Sequence, residues 1–284
     1  MKPQTVHAVV FSPTGTSKKI ASAVARGIAS AAGADPAEVA PLKTIDLTHT
    51  AGQPATLPAD TVAVIAAPVY GGHVAPTAVK RLETLRGEGT PAVVIAVYGN
   101  RAFEKAAAEL AALAARQGFV PVAAAAFVGE HSYSTPETPV AAGRPDAQDL
   151  ARAAEFGAAV RKKLAAGTPA PVDAAKLKDV HTPLVPMLRF IRFVVGYRRR
   201  QKKNPVVYLP ACDADRCTHC GRCAAICPTQ AIARGDEAHT DPARCIRCCA
   251  CVKGCPVGAR SFHTPFAAAL ARSFTRRKQP VTIL

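Results

Sequence analysis

Runs and alternations of apolar residues divide the first 166 positions into a repeating strand–helix rhythm. Thr5 to Phe11 (T-V-H-A-V-V-F) reads as a buried strand, and Lys18 to Ala32 as an alanine-rich helix. Leu42 to Leu47 is a weaker second strand, followed by a loop over Gly52 to Pro58. Thr61 to Ala67 (T-V-A-V-I-A-A) and Pro91 to Tyr98 (P-A-V-V-I-A-V-Y) are almost continuously apolar, the mark of central parallel strands covered on both faces. Helical sequence resumes after Pro76, and again from Ala102 to Gln117 with Gly118 as its stop. Val120 to Val128 is the last strand of the series and Asp146 to Ala166 the last helix. Five strands alternating with helices predict an α/β, doubly wound parallel sheet. The rhythm then breaks. Gly167 to Pro186 is Pro-rich and reads as a linker. Pro186 to Lys203 is apolar except for a helical face carrying Arg189, Arg192, Gly196, Arg199 and Arg200.

Beyond the linker the chain is organised by cysteines rather than by periodicity. Cys217 to Pro228 and Cys245 to Pro256 each read Cys-x2-Cys-x2-Cys-x3-Cys-Pro. Asp213-Ala-Asp-Arg216 leads into the first copy and Asp241-Pro-Ala-Arg244 into the second, at one constant offset, so the segment is an internal duplication. Cysteines three apart on a tight, nearly helical turn present their thiols to one side. A pair of zinc sites would favour separated Cys-x2-Cys pairs over runs of three. Disulfides suit a secreted chain, and nothing here marks one. The spacing resembles that of bacterial ferredoxins with two [4Fe–4S] clusters. That resemblance implies crossed ligation, with Cys217, Cys220, Cys223 and Cys255 on one cluster and Cys245, Cys248, Cys251 and Cys227 on the other. It also implies a small α+β two-cluster ferredoxin-like domain in which Val206 to Leu209 pairs with Arg260 to Phe262. Cys212 and Cys249 fall outside the eight and are read as small packing residues. His219, between two ligands, either faces solvent or donates to a cluster sulfur.

Ser12-Pro-Thr-Gly-Thr-Ser17 joins the first strand to the first helix. Free N–H groups at a helix start, with hydroxyls beside them, make an anion site. The P-loop pattern G-x-x-x-x-G-K-[ST] is absent, and no G-x-G-x-x-G follows a strand, so a nicotinamide is not the expected direct electron donor. The loop resembles the phosphate loop of flavodoxins, T/S-x-T-G-x-T, with Ser12, Thr14, Gly15, Thr16 and Ser17 filling the pattern. That resemblance implies FMN and the strand order 2-1-3-4-5, with the ligand at the carboxyl ends of the strands. Three Gly-rich loops would converge there: Pro68-Val69-Tyr70-Gly71 running on to His73, Gly99-Asn100-Arg101, and Gly129 to Tyr133. Tyr70 is the first choice to stack on the flavin ring and Tyr98 the second, with Gly99 and Asn100 at the pyrimidine edge. The loops carry Arg101, His73 and His131 against Glu130 alone. That balance predicts a flavin easier to reduce than one ringed by acids.

The formal net charge is +16 over 284 residues, and all of it lies in residues 151–284, which hold 24 basic and 8 acidic side chains. No acid occurs between residues 180 and 212, or after Asp241. Cations near a cluster favour its more reduced state. The remainder suits an acidic redox partner protein. Nucleic acid is not expected, since no recognition helix or aromatic RNA-binding motif is visible. The basic stretch 186–203 fits peripheral contact with a membrane surface, but packing of its apolar side on the N-terminal domain is the commoner use of such a pattern and is the expectation. No apolar run spans a bilayer, no signal peptide is seen, and ten cysteines fit a reducing, cytoplasmic setting.

The stretches S-P-T-G-T-S, A-P-V-Y-G-G, V-Y-G-N-R and G-E-H-S-Y-S, with the two cysteine motifs, make the chain similar to flavodoxin–ferredoxin fusions. The resemblance divides it into a flavodoxin-like FMN domain (1–166), a Pro-rich linker and basic amphipathic segment (167–204), a 2[4Fe–4S] ferredoxin domain (205–264) and a basic tail (265–284). It implies an electron-transfer protein relaying single electrons between two [4Fe–4S] clusters and FMN for a partner enzyme. Two alternatives stay open: a flavin-dependent reductase of a small molecule, and an iron–sulfur sensor that binds nucleic acid through the basic half. No acid–base constellation singles out catalytic residues.

Overall fold

The computed structural model describes residues 3–30, 39–50, 54–167 and 170–284. Residues 31–32 of the expected first helix, 52–53 of the expected loop and 168–169 of the linker lie outside the described residues. The chain forms two compact units that interleave along the sequence. Met1–Glu130, Gly143–Val180 and Lys278–Leu284 make the first; His131–Ala142 and His181–Arg277 make the second.

The first unit runs β1 (Thr5–Val10), α1 (Thr16–Ala29), β2 (Leu42–Asp46), β3 (Ala55–Leu57), β4 (Thr61–Tyr70), β5 (His73–Val74), α2 (Pro76–Leu82), β6 (Leu85–Gly87), β7 (Thr90–Tyr98), α3 (Ala106–Arg116), β8 (Phe119–Val128) and α4 (Ala147–Ala165). The second holds α5 (Leu184–Lys203), β9 (Ala211–Cys212), α6 (Arg222–Ala225), α7 (Ala250–Lys253), β10 (Arg260–Ser261) and α8 (Pro265–Ser273). The chain then returns to the first unit as β11 (Val281–Ile283).

Strands β2-β1-β4-β7-β8 lie side by side and parallel, which counted among themselves is the order 2-1-3-4-5. Every residue of β7 is buried, as is β4 from Thr61 to Ala67, because helices cover both faces of a parallel sheet. Helix α1, which carries the Ser/Thr loop at its start, is held by close packing on α4. A Cβ at Gly27 would stand 2.1 Å from the Ala154 carbonyl oxygen, and one at Gly157 2.2 Å from that of Val24. Helix α4 begins in a capping box, Asp146 accepting from the Asp149 N–H and Asp149 answering from its side chain.

Among the described residues the sheet has seven strands, the five parallel ones and two more. Hairpin strand β5 folds back on β4 through Val69–Val74 and Tyr70–His73, and β11 adds antiparallel to the β8 edge. Both are too short to carry a periodic signal, and β11 follows a basic run. Within residues 265–284, read as a basic tail, Pro265–Ser273 is helix α8 and Val281–Ile283 the edge strand, on either side of the basic run. The expected loop before Pro58 contains β3, which pairs with β6 in a separate two-stranded sheet.

In the second unit Arg260–Ser261 pairs as expected, but its partner is Ala211–Cys212 rather than Val206 to Leu209, with Cys212 opposite Arg260 and Ala211 opposite Ser261. Val206 stays out of the ladder because the Gln201 side chain takes both its backbone groups, at 2.9 and 2.6 Å. The helix over 186–203 packs within its own unit. Phe190, Phe193, Val194 and Tyr197 of α5 meet Phe266, Leu270 and Phe274 of α8, with edge-on rings 4.8–5.1 Å apart. Among the described residues no helix is long and apolar enough to cross a membrane.

Candidate functional site

The cysteine duplication is a duplication of backbone as well. At an offset of 28 residues, the one-turn helices α6 and α7 coincide, as do the left-handed residues His219 and Arg247, Gly221 and Cys249, Gln230 and Gly258. A left-handed residue before each helix reverses the chain, so that thiols from loop and helix face one point. Glycine takes that conformation freely at Gly221; at its counterpart a buried cysteine takes it with φ 58°.

Two cavities result. Cys217, Cys220, Cys223 and Cys255 line one, together with Cys212, Glu237 and Arg260. Cys227, Cys245, Cys248 and Cys251 line the other, together with Cys249. Thus the last cysteine of each repeat stands with the first three of the other. Each cavity, counting its mouth, encloses about 310 Å³. Among the described residues no three His, Cys, Asp or Glu side chains close on a point able to hold a single metal ion. Four thiols round each cavity match the four thiolates that a cubane cluster takes.

Electrostatics divide the thiols. Burial pushes Cys248 up to about 12, and also raises Cys223, Cys245 and Cys251. At Cys255 burial acts in the same direction but is outweighed by backbone N–H groups of residues 257–260, and the thiol lies below its ordinary value. The Ala259 N–H donates to Cys255 Sγ at 3.2 Å, and the equivalent Ala231 N–H to Cys227 Sγ at 3.2 Å. Such donors stabilise sulfur that carries charge.

Arg260 was not singled out by the sequence. Its guanidinium is 4 % exposed and donates to the Glu237 carbonyl at 2.6 Å, Thr240 Oγ1 at 2.6 Å and the Pro210 carbonyl at 3.4 Å, with Cys251 Sγ at 4.0 Å. It lines the first cavity while touching a thiol of the second. Its Nε is buried with no acceptor among the described residues; a cluster sulfur would supply one. His219 does not turn to a sulfur: its Nδ1 lies 3.2 Å from the buried Glu237 carboxylate. The Gly235 N–H and His219 hold that carboxyl below its usual range. Cys212, read as a packing residue, also lines the first cavity.

In the first unit the loop Ser12–Gly15 turns β1 into α1. Gly15 has φ 83°, with nothing within 4 Å of a Cβ placed there, so its conformation rather than its size requires glycine. Lys18 N–H donates to Ser12 Oγ at 3.0 Å and Lys19 N–H to the Gly15 carbonyl at 3.0 Å. The N–H groups of Thr16 and Ser17 have no carbonyl four residues back inside the helix. Ser17 Oγ is buried with no hydrogen-bond partner among the described residues. With the Thr14 and Thr16 hydroxyls, this donor set fits an oxyanion such as a phosphate.

The neighbouring loops are partly assembled. Lys105 N–H donates to the Gly72 carbonyl at 3.1 Å, joining the Pro68–His73 turn to the segment after Arg101. A Cβ at Gly129 would stand 3.0 Å from Thr16 Cβ, so that loop adjoins the Ser/Thr loop. Tyr70 lies half-buried at the end of β4, before the left-handed Gly71. Tyr98 is not available to stack on a ligand: it is 2 % exposed, its ring meets Phe103 edge-on at 5.5 Å, and burial pushes its phenol far up. Asn100 is buried with φ 62°. Tyr133 belongs to the second unit, where its ring packs 5.0 Å from Phe262 and burial lifts its hydroxyl to about 12.

The expected excess of cations is offset by acids that the sequence did not place there. Arg101 pairs with Glu104 at 2.5 Å, and His73 Nδ1 with Glu109 at 2.5 Å. Two distant residues brace the same loop. Asp179 accepts from the Phe103 and Glu104 N–H groups at 2.8 and 3.0 Å, and Lys278 Nζ donates to the Arg101 carbonyl. Asp179 lies in the Pro-rich linker and Lys278 in the basic run, so neither carried a local signal.

Comparison with known proteins bears on both units. Residues 209–263 match the family of 4Fe-4S dicluster domains. Three solved structures show likeness. A flavodoxin from the domain Archaea is 14 % identical, with 57 % of this chain and 99 % of that one covered and a TM-score of 0.35. An oxidoreductase from Corynebacterium diphtheriae is 16 % identical, with 58 % and 97 % covered and a TM-score of 0.36. The Flv1 flavodiiron core from Synechocystis sp. PCC6803 is 15 % identical, with 58 % and 37 % covered and a TM-score of 0.36. The α/β architecture of the first unit rests on the strand order above rather than on these likenesses. No curated protein sequence matches the chain.

Proposed function

We propose that the chain is an electron-transfer protein that passes electrons singly between two [4Fe–4S] clusters in its second unit and FMN on its first, serving a separate redox partner. The observation that carries this reading is the pair of cavities, each ringed by four thiols drawn from both repeats. Clusters exchange one electron and a flavin one or two, so together they convert between the two modes. The residues' own part is to hold and tune. Cys217, Cys220, Cys223 and Cys255 would take one cluster, and Cys245, Cys248, Cys251 and Cys227 the other. Ser12, Thr14, Gly15, Thr16 and Ser17 would take the FMN phosphate, and Tyr70 one face of its ring. The surplus of basic side chains in residues 151–284 suits an acidic partner.

Anaerobic purification followed by iron, sulfide and flavin analysis tests the reading. About eight irons, eight sulfides and one FMN per chain are expected; about four irons, a zinc signal, or another flavin would overturn it. The phosphate loop has its own test in Ser17→Ala. Deleting a buried hydroxyl that lacks a partner should leave the flavin-free chain as stable as before or slightly more so. Flavin affinity should fall about ten- to a hundredfold, by loss of one hydrogen bond to a charged group. Thermal melts and flavin fluorescence titration read the two effects. Equal flavin affinity in both chains would remove Ser17 from the site.

A further inference from the structure

Helix α5 is apolar on two sides. Phe190, Phe193, Val194 and Tyr197 pack on α8. On the other side Leu184, Leu188, Ile191 and Val195 stand in water, 69 %, 54 %, 48 % and 43 % exposed. Their spacing of four, three and four residues places them within about 60° of arc, as one straight stripe along three turns. Contiguous exposed aliphatic side chains of this kind mark an interaction surface.

The charge beside the stripe has one sign. At 100° per residue Arg192 and Arg199 border it on one side and Arg198 on the other, while Lys202 continues its line in the last turn. All four are exposed. The helix contains seven basic residues and no acid, and no acid occurs between residues 180 and 212. An acidic protein would answer the cations but gives no reason for a convex aliphatic row. An anionic lipid surface answers both, with aliphatic side chains at the acyl boundary and arginines reaching the headgroup phosphates. Since no helix among the described residues can cross a bilayer, contact would lie in the plane of the surface.

We propose that α5 docks the protein on an anionic membrane surface. The helix lies parallel to it, the Leu184–Val195 stripe enters the interface, and Arg192, Arg198, Arg199 and Lys202 meet lipid phosphates. This rests on the geometry of the helix and does not require the redox reading.

The test is co-sedimentation of the full, anaerobically purified chain with vesicles of phosphatidylcholine, with and without phosphatidylglycerol. Binding to the anionic vesicles is expected to be at least about tenfold tighter, as a few basic residues near such a surface provide. Leu188→Glu with Ile191→Glu should abolish it while visible absorbance and circular dichroism stay those of the parent, because both side chains are exposed. Arg198→Gln with Arg199→Gln and Lys202→Gln should remove most of the preference for anionic lipid. No sedimentation with anionic vesicles at low salt would overturn the proposal. So would binding that the double Glu variant retains, which would indicate non-specific attraction, and so would light scattering that shows the stripe covered in a dimer the double variant dissolves.

Discussion

Replacing Cys255 by alanine is expected to leave the anaerobically purified chain with no more than about half the parent's iron, and to loosen the whole second unit. Cys255 belongs to the second repeat but lines the cavity of the first beside Cys217, Cys220 and Cys223. Through it one cluster would add a tie between the two repeats, beside the β9–β10 pairing and the hydrogen bonds of Arg216 to Val257 and Arg222 to Gly254. The apolar core around the cysteines is small: Ile232 with Cys223 and Cys251, flanked by Ala224 and Val252. A domain with so little apolar burial depends on its metal for stability. Cys255 is also a thiol that backbone N–H groups hold below its ordinary value, which favours the thiolate that binds iron. Cys212 lines the same cavity and is a ready substitute, so the measurement should be repeated with Cys212→Ser in the same chain. Iron and sulfide content with denaturant unfolding provide the readout. Full iron in the double variant would show that the ligand sets are not crossed.

Arg260→Met should lower the midpoint potentials of the two clusters proposed above, whereas Arg260→Lys should largely keep them. The guanidinium lines the first cavity and stands 4.0 Å from Cys251 of the second. Reduction adds a negative charge to a cluster, and a buried cation nearby favours the reduced state. At an effective dielectric of about 20, a unit charge at 4 Å is worth about 4 kcal/mol, so a shift on the order of 100 mV is reasonable after screening. Loss of the guanidinium also abandons three buried acceptors, the carbonyls of Glu237 and Pro210 and the Thr240 hydroxyl. That should cost about 3–5 kcal/mol in either variant, less what lysine recovers. Potential and stability thus part company: both fall in the methionine chain, and mainly stability in the lysine chain. EPR-monitored titration with urea unfolding separates them. Unchanged potentials in Arg260→Met would make the residue purely structural.

Part of this architecture is written locally. The central strands are legible because a parallel sheet buries both faces, which demands the β-branched and alanine runs of Thr61–Ala67 and Pro91–Tyr98. The cysteine sets are legible because a one-turn helix fixes their spacing, whatever surrounds it. Gly15 is legible because its turn needs a left-handed residue.

Other features have no local cause. β11 is three residues long, and only the open edge of β8 makes it a strand. Tyr98 has the look of a stacking residue, but burial is decided by whichever helix and loop close over it, here Phe103. Arg101 and His73 read as lone cations until folding brings Glu104 and Glu109 to them, and Asp179 and Lys278 reach the same loop from far along the chain. Arg260 is one arginine among many until the chain folds it between the two cysteine sets. The basic helix is similar: its sequence shows an apolar majority and a cationic face, yet only the packing on α8 decides which apolar side chains are covered. By itself, then, the sequence determined what depends on short-range geometry — strand runs, turn glycines and thiol spacing. The tertiary structure decided charge pairing, burial and exposure, because these are set by neighbours that sequence distance does not predict.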